Sequence, residues 1–247
     1  MNISFAQLDK LKAKLDAYRP LPTQIAAQIR EDNCIRFTYH SNAIEGNTLT
    51  IYETKAVLED GITISGKTMR EHLEALGHSY ALDYLEHLVQ QQEPLTERIF
   101  KELHNIILRD IDRKNAGTYR KVNVLITGET HVPPPVIDVQ SKMDIFFAWY
   151  VSARHSLHPL ELAARIHTGF VNIHPFTDGN GRTARLIMNL ELMKAGFPTV
   201  IIPVEARHLY YQNLDLAATQ GDYTPFIAQL AALSIQSFDN YWNLLGI

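Results

Sequence analysis

The stretch His174-Pro175-Phe176-Thr177-Asp178-Gly179-Asn180-Gly181-Arg182-Thr183-Ala184-Arg185 separates two helical patterns and decides how the chain is read. Upstream, Leu162, Ile166, Phe170 and Val171 recur at helical spacing, and downstream Leu186, Leu190, Met193 and Phe197 do the same. A Gly-Asn-Gly opening a helix offers N–H groups without intrahelical acceptors at the positive end of the dipole, which makes an anion site. Glycine lets phosphate oxygens approach the backbone closely. Asp178 is a hard oxygen donor suited to Mg²⁺ that also binds phosphate oxygens. Arg182 and Arg185, three residues apart, can address the same phosphate group. His174, just before the cradle, can accept a proton near neutral pH. Taken singly, these residues read as a turn, a solvated helix face and a structural histidine. Together, the specified residues from His174 to Arg182 should occur by chance in such a chain with a probability on the order of 10⁻⁸.

Outward from this loop most of the chain is helical. Leu8, Leu11 and Leu15 predict a short first helix ended by Pro20 and Pro22, and Ile25, Ile29, Ile35, Phe37 and Tyr39 predict a second, running to about Glu45. Thr50 with Glu53 is a capping box for a third. Long apolar periodicity predicts helices over 68–91 and 96–108, and helices resume near Ser141. Between them Val122, Val124 and Ile126 alternate, followed by Gly128 and Pro133-Pro134-Pro135, which predicts a short hairpin. The expected fold class is all-α with one β-hairpin flap, in a single domain over 1–247. Its N-terminal helices occupy 1–49 and its core 95–220, with the flap at 117–137.

Composition narrows the function. Apolar residues make up 46% and charged residues 20%, so a core can form without staples. Cys34 is the single cysteine, which excludes internal disulfides and multi-cysteine metal sites. A net charge of −4 without a basic stripe gives no footprint for nucleic acid. Apolar runs such as 145–151 and 199–204 are too short to span a membrane, and no secretory signal is visible at the N-terminus. The expectation is a cytoplasmic protein that binds neither membrane nor nucleic acid.

The string His174-Pro175-Phe176-x-Asp178-Gly179-Asn180-Gly181-Arg182-x-x-Arg185 resembles the active-site signature of the Fic family at every defining position. The resemblance implies an all-helical fold and transfer of AMP from ATP-Mg²⁺ onto a Ser, Thr or Tyr hydroxyl of a target protein. It implies roles as well: His174 as general base, Asp178 as Mg²⁺ ligand, and Gly179, Asn180 and Gly181 as the anion hole. Arg182 and Arg185 would bind the outer phosphates, and Phe176 would anchor the loop. The family's phosphorylating branch carries lysine where this chain has Gly181, so AMP transfer is the expected chemistry.

Three further segments take meaning from the same resemblance. Ser41-x-x-x-Glu45-Gly46 is by composition a helix C-terminus with a glycine stop. In the Fic family such a string marks an inhibitory helix, whose glutamate would pair with Arg185 and deny it to the γ-phosphate. The flap, through Val124, Ile126 and Thr127, would align a target segment by strand addition. Tyr210 and Asn213 would contact the adenine by stacking and hydrogen bonding, although an aromatic pair on a helix is more commonly core. His167 reads as a satisfied buried histidine. Gly61 to Thr68 matches a P-loop pattern, but the preceding segment reads as a capped helix, so it is taken as a helix–loop–helix connection. Removal of AMP on the same site and a regulatory or toxin-type binding module are the alternative functions. A homodimer is compatible with the reading.

Overall fold

The computed structural model describes residues 5–126 and 130–247. Ten α-helices account for most of them: α1 (Ala6–Asp16), α2 (Thr23–Ile44), α3 (Ile51–Glu59), α4 (Met69–Gln91), α5 (Glu97–Leu108), α6 (Val139–Ala153), α7 (Pro159–Ile173), α8 (Asn180–Lys194), α9 (Arg207–Gln220) and α10 (Thr224–Leu245). Local chemistry sets many boundaries. Thr50 and Glu53 form a reciprocal capping box at the start of α3, and Thr68 and Glu71 form another at α4. α7 starts with Pro159 in its first turn, where a missing N–H costs no hydrogen bond. The chain between α3 and α4 is a turn, and Lys67 there pairs with Glu53 and donates to the Thr48 carbonyl. The P-loop pattern therefore marks a connection between two helices.

α8 is the axis of the molecule. Residues on all its faces are buried, including Arg182, Arg185, Asn189 and Glu191, so each polar group must find a partner inside. The Asn189 amide donates to the carbonyls of Arg185 and Val200 and accepts the Val200 N–H, tying the chain after α8 back onto it. Glu191 accepts from the Tyr150 hydroxyl. α7 packs beside α8, and α4, α5 and α2 pack against it as well. Phe100, Phe170, Phe176, Leu186, Leu190 and Phe226 lie in one continuous apolar cluster around it, each less than 2% exposed. At the far end α1 buries Leu8 and Leu15 against this cluster.

The hairpin is not seen: the described residues contain no β-strand. Residues 118–126 and 130–135 run as two arms held together by side chains. Arg120 donates to the carbonyls of Val122 and Pro134, and the Val136 N–H donates to Asn123 Oδ1. The physical reason lies in Pro133-Pro134-Pro135, which have no N–H to give a ladder. Thr127 and Gly128, assigned to the flap edge and its turn, lie outside the described residues.

Candidate active site

The loop 174–182 joins the C-terminus of α7 to the N-terminus of α8. His174 ends α7 in the left-handed region at φ 50°, ψ 57°. For a residue with a Cβ this costs on the order of 1 kcal/mol and needs support from its surroundings. Arg120 supplies it: its Nε donates to the His174 carbonyl at 2.9 Å and its backbone N–H to the Pro175 carbonyl at 2.8 Å. Next, Phe176 is 0% exposed and stacks on the His104 ring, with centroids 3.6 Å apart and planes within 8°. The Asn180 side chain accepts the Phe176 N–H and donates to the Phe176 carbonyl, closing the loop on itself.

His104 of α5 fixes the other side. The Gly117 N–H donates to its Nδ1 at 2.8 Å, so Nε2 carries the proton and donates to the Asp178 carbonyl at 2.9 Å. Burial pushes its pKa down to about 4, which keeps this tautomer neutral. Gly179 then takes φ 78°, which glycine adopts without strain, and its missing side chain makes room for Ile107, Leu108 and His104. α8 begins immediately afterwards, leaving the N–H groups of its first turn without intrahelical acceptors.

Charged groups surround this helix start. Asp178 Oδ1 accepts from the Gly179 N–H and from Arg182, and Oδ2 accepts from Arg70. Burial disfavours its charge, but Arg182, the Gly179 N–H and Arg70 outweigh that and hold its carboxyl below the usual range. Burial also lowers the His174 pKa, to about 4, with the nearby Arg120 charge acting in the same direction; Glu45 and Asp178 oppose both. His174 is therefore a neutral imidazole at pH 7.

Arg182 and Arg185 are 2% and 1% exposed and lead to different elements. Arg182 faces Asp178 and Glu74 of α4. Arg185 donates to Glu45 Oε1 at 2.7 Å, to the Ser41 hydroxyl at 3.0 Å, to the Ser41 carbonyl at 2.8 Å and to the Tyr210 hydroxyl at 3.3 Å. Glu45 caps the C-terminus of α2, next to Gly46, and a Cβ built on Gly181 would collide with its Oε1. The Glu45 carboxylate thus occupies the space directly over Gly181, at the start of α8.

Tyr210 is 1% exposed, with its hydroxyl between Arg185 and His167 Nε2. Asn213 is also buried and donates to Gln229 of α10. Of the flap residues, Val124 and Ile126 are half-buried, and between them Leu125 is 79% exposed. Sequence reasoning missed His104, Arg120, Arg70 and Glu74. The one legible signal was His104, a polar residue within the otherwise apolar stripe Ile99, Phe100, Leu103, Ile107 of α5.

An all-helical scaffold that presents a neutral histidine beside a glycine-opened helix start, backed by two buried arginines, defines a class of phosphate-handling proteins. The comparisons give the class its name. The sequence signature of the Fic/DOC family matches residues 94–192. A Fic-1 chain from C. elegans superposes with a TM-score of 0.88 at 34% identity, covering 98% of this chain and 72% of that one. A Fic domain containing signaling protein from Bacteroides thetaiotaomicron gives a TM-score of 0.88 at 30% identity, with 96% and 97% covered. The chain belongs to the Fic family. Among curated relatives, the protein adenylyltransferase Fic of Nematostella vectensis is 42% identical over 95% of this chain and 55% of its own length. That of Drosophila melanogaster is 38% identical over 95% and 48%. The chain thus spans about half the length of these relatives. Among the described residues, no helix is long and apolar enough to cross a membrane.

Proposed function

We infer that this protein transfers AMP from ATP to a hydroxyl side chain of a target protein and that Glu45 restrains the reaction. The observation that carries the reading is a neutral, buried imidazole at one edge of an anion-binding helix start whose two arginines lie behind it. The curated relatives' shared name, protein adenylyltransferase, supports the same chemistry.

In this reading His174 accepts the proton of the target hydroxyl as its oxygen attacks the α-phosphorus. The bond to the bridging oxygen breaks and pyrophosphate leaves, so the products are the AMP ester, pyrophosphate and a proton held on His174. The α8 N–H groups and Arg182 take the developing charge, the kind of preorganised stabilisation on which phosphoryl transfer depends. Asp178 suits Mg²⁺ held jointly with the nucleotide, because it is ionised, 46% exposed and a single carboxylate. The described residues contain no cluster of three or more ligating side chains, and Mg²⁺ is ordinarily bound through one or two carboxylates plus substrate phosphates. Bound there, Mg²⁺ would neutralise charge on the polyphosphate. In this reading the flap, through Val124, Ile126 and Thr127, aligns an extended target segment by strand addition.

Restraint follows from position. Glu45 neutralises Arg185 and fills the space over Gly181, so the polyphosphate meets a carboxylate where it needs a cation. A misplacement of about 1 Å is enough to cost on the order of 10²-fold in rate. The test uses Glu45→Gly protein with ATP labelled on either the α- or the γ-phosphate. The α-label should pass to the protein itself or to a lysate protein, and His174→Ala should abolish it with the fold intact. Transfer of the γ-label, or full α-labelling in the histidine variant, overturns the reading.

A further inference from the structure

Asp178 is held by more than its own helix. Arg70, in the first turn of α4, donates Nη2 to Asp178 Oδ2 at 2.6 Å and Nε to Glu74 Oε1 at 3.0 Å. Glu74 Oε1 lies 3.4 Å from Arg182 Nη1, and Arg182 Nη2 lies 3.2 Å from Asp178 Oδ1. The four side chains therefore close a ring of alternating charge. Within it both carboxylate oxygens of Asp178 are engaged, Oδ1 by Arg182 and the Gly179 N–H, Oδ2 by Arg70. Asn47 pins Glu74 from the α2–α3 connection.

The members of the ring differ in freedom. Arg182 is 2% exposed and fixed on α8, whereas the Arg70 side chain is 56% exposed. Arg70 is the member that can leave. Resting on the reading of Asp178 as the protein's oxygen donor to Mg²⁺, we propose that Arg70 gates that oxygen. In the nucleotide-free protein its guanidinium takes the position a divalent cation would take, and it must withdraw before Asp178 binds metal. Cation and guanidinium compete for the same oxygen, and a carboxylate oxygen 2.6 Å from a donor nitrogen has no room for a metal on that side. Withdrawal does not strand the guanidinium, because Glu74 remains beside it. The restraint is distinct from that of Glu45, which acts on Arg185 at the other side of the cradle.

The test measures binding, in the Glu45→Gly background, of a nonhydrolysable ATP analogue by calorimetry, once with Mg²⁺ and once with a chelator. Arg70→Gln should tighten binding in Mg²⁺ by about threefold, the scale of a part-exposed ion pair, without tightening it in chelator. Arg70→Lys, which keeps the charge but loses the fork, should fall between. Asp178→Asn should erase the difference between the two conditions. Binding in Mg²⁺ that is unchanged or weaker in Arg70→Gln, with Asp178→Asn behaving as stated, overturns the gate and leaves the metal role of Asp178 standing. A full Mg²⁺ effect surviving in Asp178→Asn overturns that role, and the gate with it.

Discussion

The catalytic loop, 174–182, and the arms of the flap, 118–126 and 130–135, lie side by side at the mouth of the site but are held by opposite means. The loop is locked from within and below: Asn180 grips both backbone groups of Phe176, His104 stacks on its ring, and the start of α8 follows at once. The arms form no ladder and depend on side chains reaching in, Arg120 above all, together with Asp215, which accepts from the Thr130 and His131 N–H groups. In the proposed reading, AMP transfer needs a rigid cradle for a substrate that is always the same. It also needs a less committed edge for a protein partner. The two regions meet at the His174 carbonyl, where Arg120 supports the strained backbone of the proposed base.

That contrast can be broken from either side. Phe176→Ala removes the fully buried ring from the stack on His104 and should cost about 3–5 kcal/mol, read as a large fall in the denaturant midpoint. Arg120→Met should cost less, about 2–3 kcal/mol, because the arms carry little of the core. It should nevertheless lower AMP transfer in the Glu45→Gly background by far more than its stability loss implies, since it frees the His174 backbone. If Arg120→Met left transfer untouched, the flap and loop would be independent, and the contrast would lose its meaning.

A smaller effect sharpens the account of the base. A histidine with an ordinary pKa would lose about fourfold of its neutral form between pH 8 and pH 6. His174 is depressed to about 4, so its neutral, proton-accepting form persists throughout that range. Removing the Glu45 carboxylate, which raises the pKa, shifts it further in the same direction. The kcat/KM of Glu45→Gly protein should therefore be flat from pH 8 to pH 6, and a fall centred near 6.5 would contradict the burial argument.

How far the sequence could be read follows from the same contrast. The loop was legible because its chemistry is local: proton acceptor, acid, glycines and arginines stand within twelve consecutive positions. The helix start at Thr50 was legible for the same reason, a cap and its glutamate three residues apart, whereas the matching box at Thr68 and Glu71 emerged with the structure. The meeting of Glu45 with Arg185, although far apart in the chain, was reachable only through resemblance to a family. The flap misled because Val122, Val124 and Ile126 alternate as a strand does, while the prolines that deny a ladder lie on the opposite arm. Arg120 and Arg70 carried no sequence signal at all. A lone arginine reads as solvated surface, and its partners, the carbonyls of His174 and Pro134 and the carboxylate of Asp178, are brought to it only by folding.

In the proposed reading, one carboxylate lying over Gly181 holds back a competent site. Incubating wild-type and Glu45→Gly protein in parallel with ATP and Mg²⁺, and following AMP adducts on the protein itself by mass spectrometry, tests it most directly. The wild type should carry little or no adduct and Glu45→Gly abundant adduct. Equal modification of the two would contradict it.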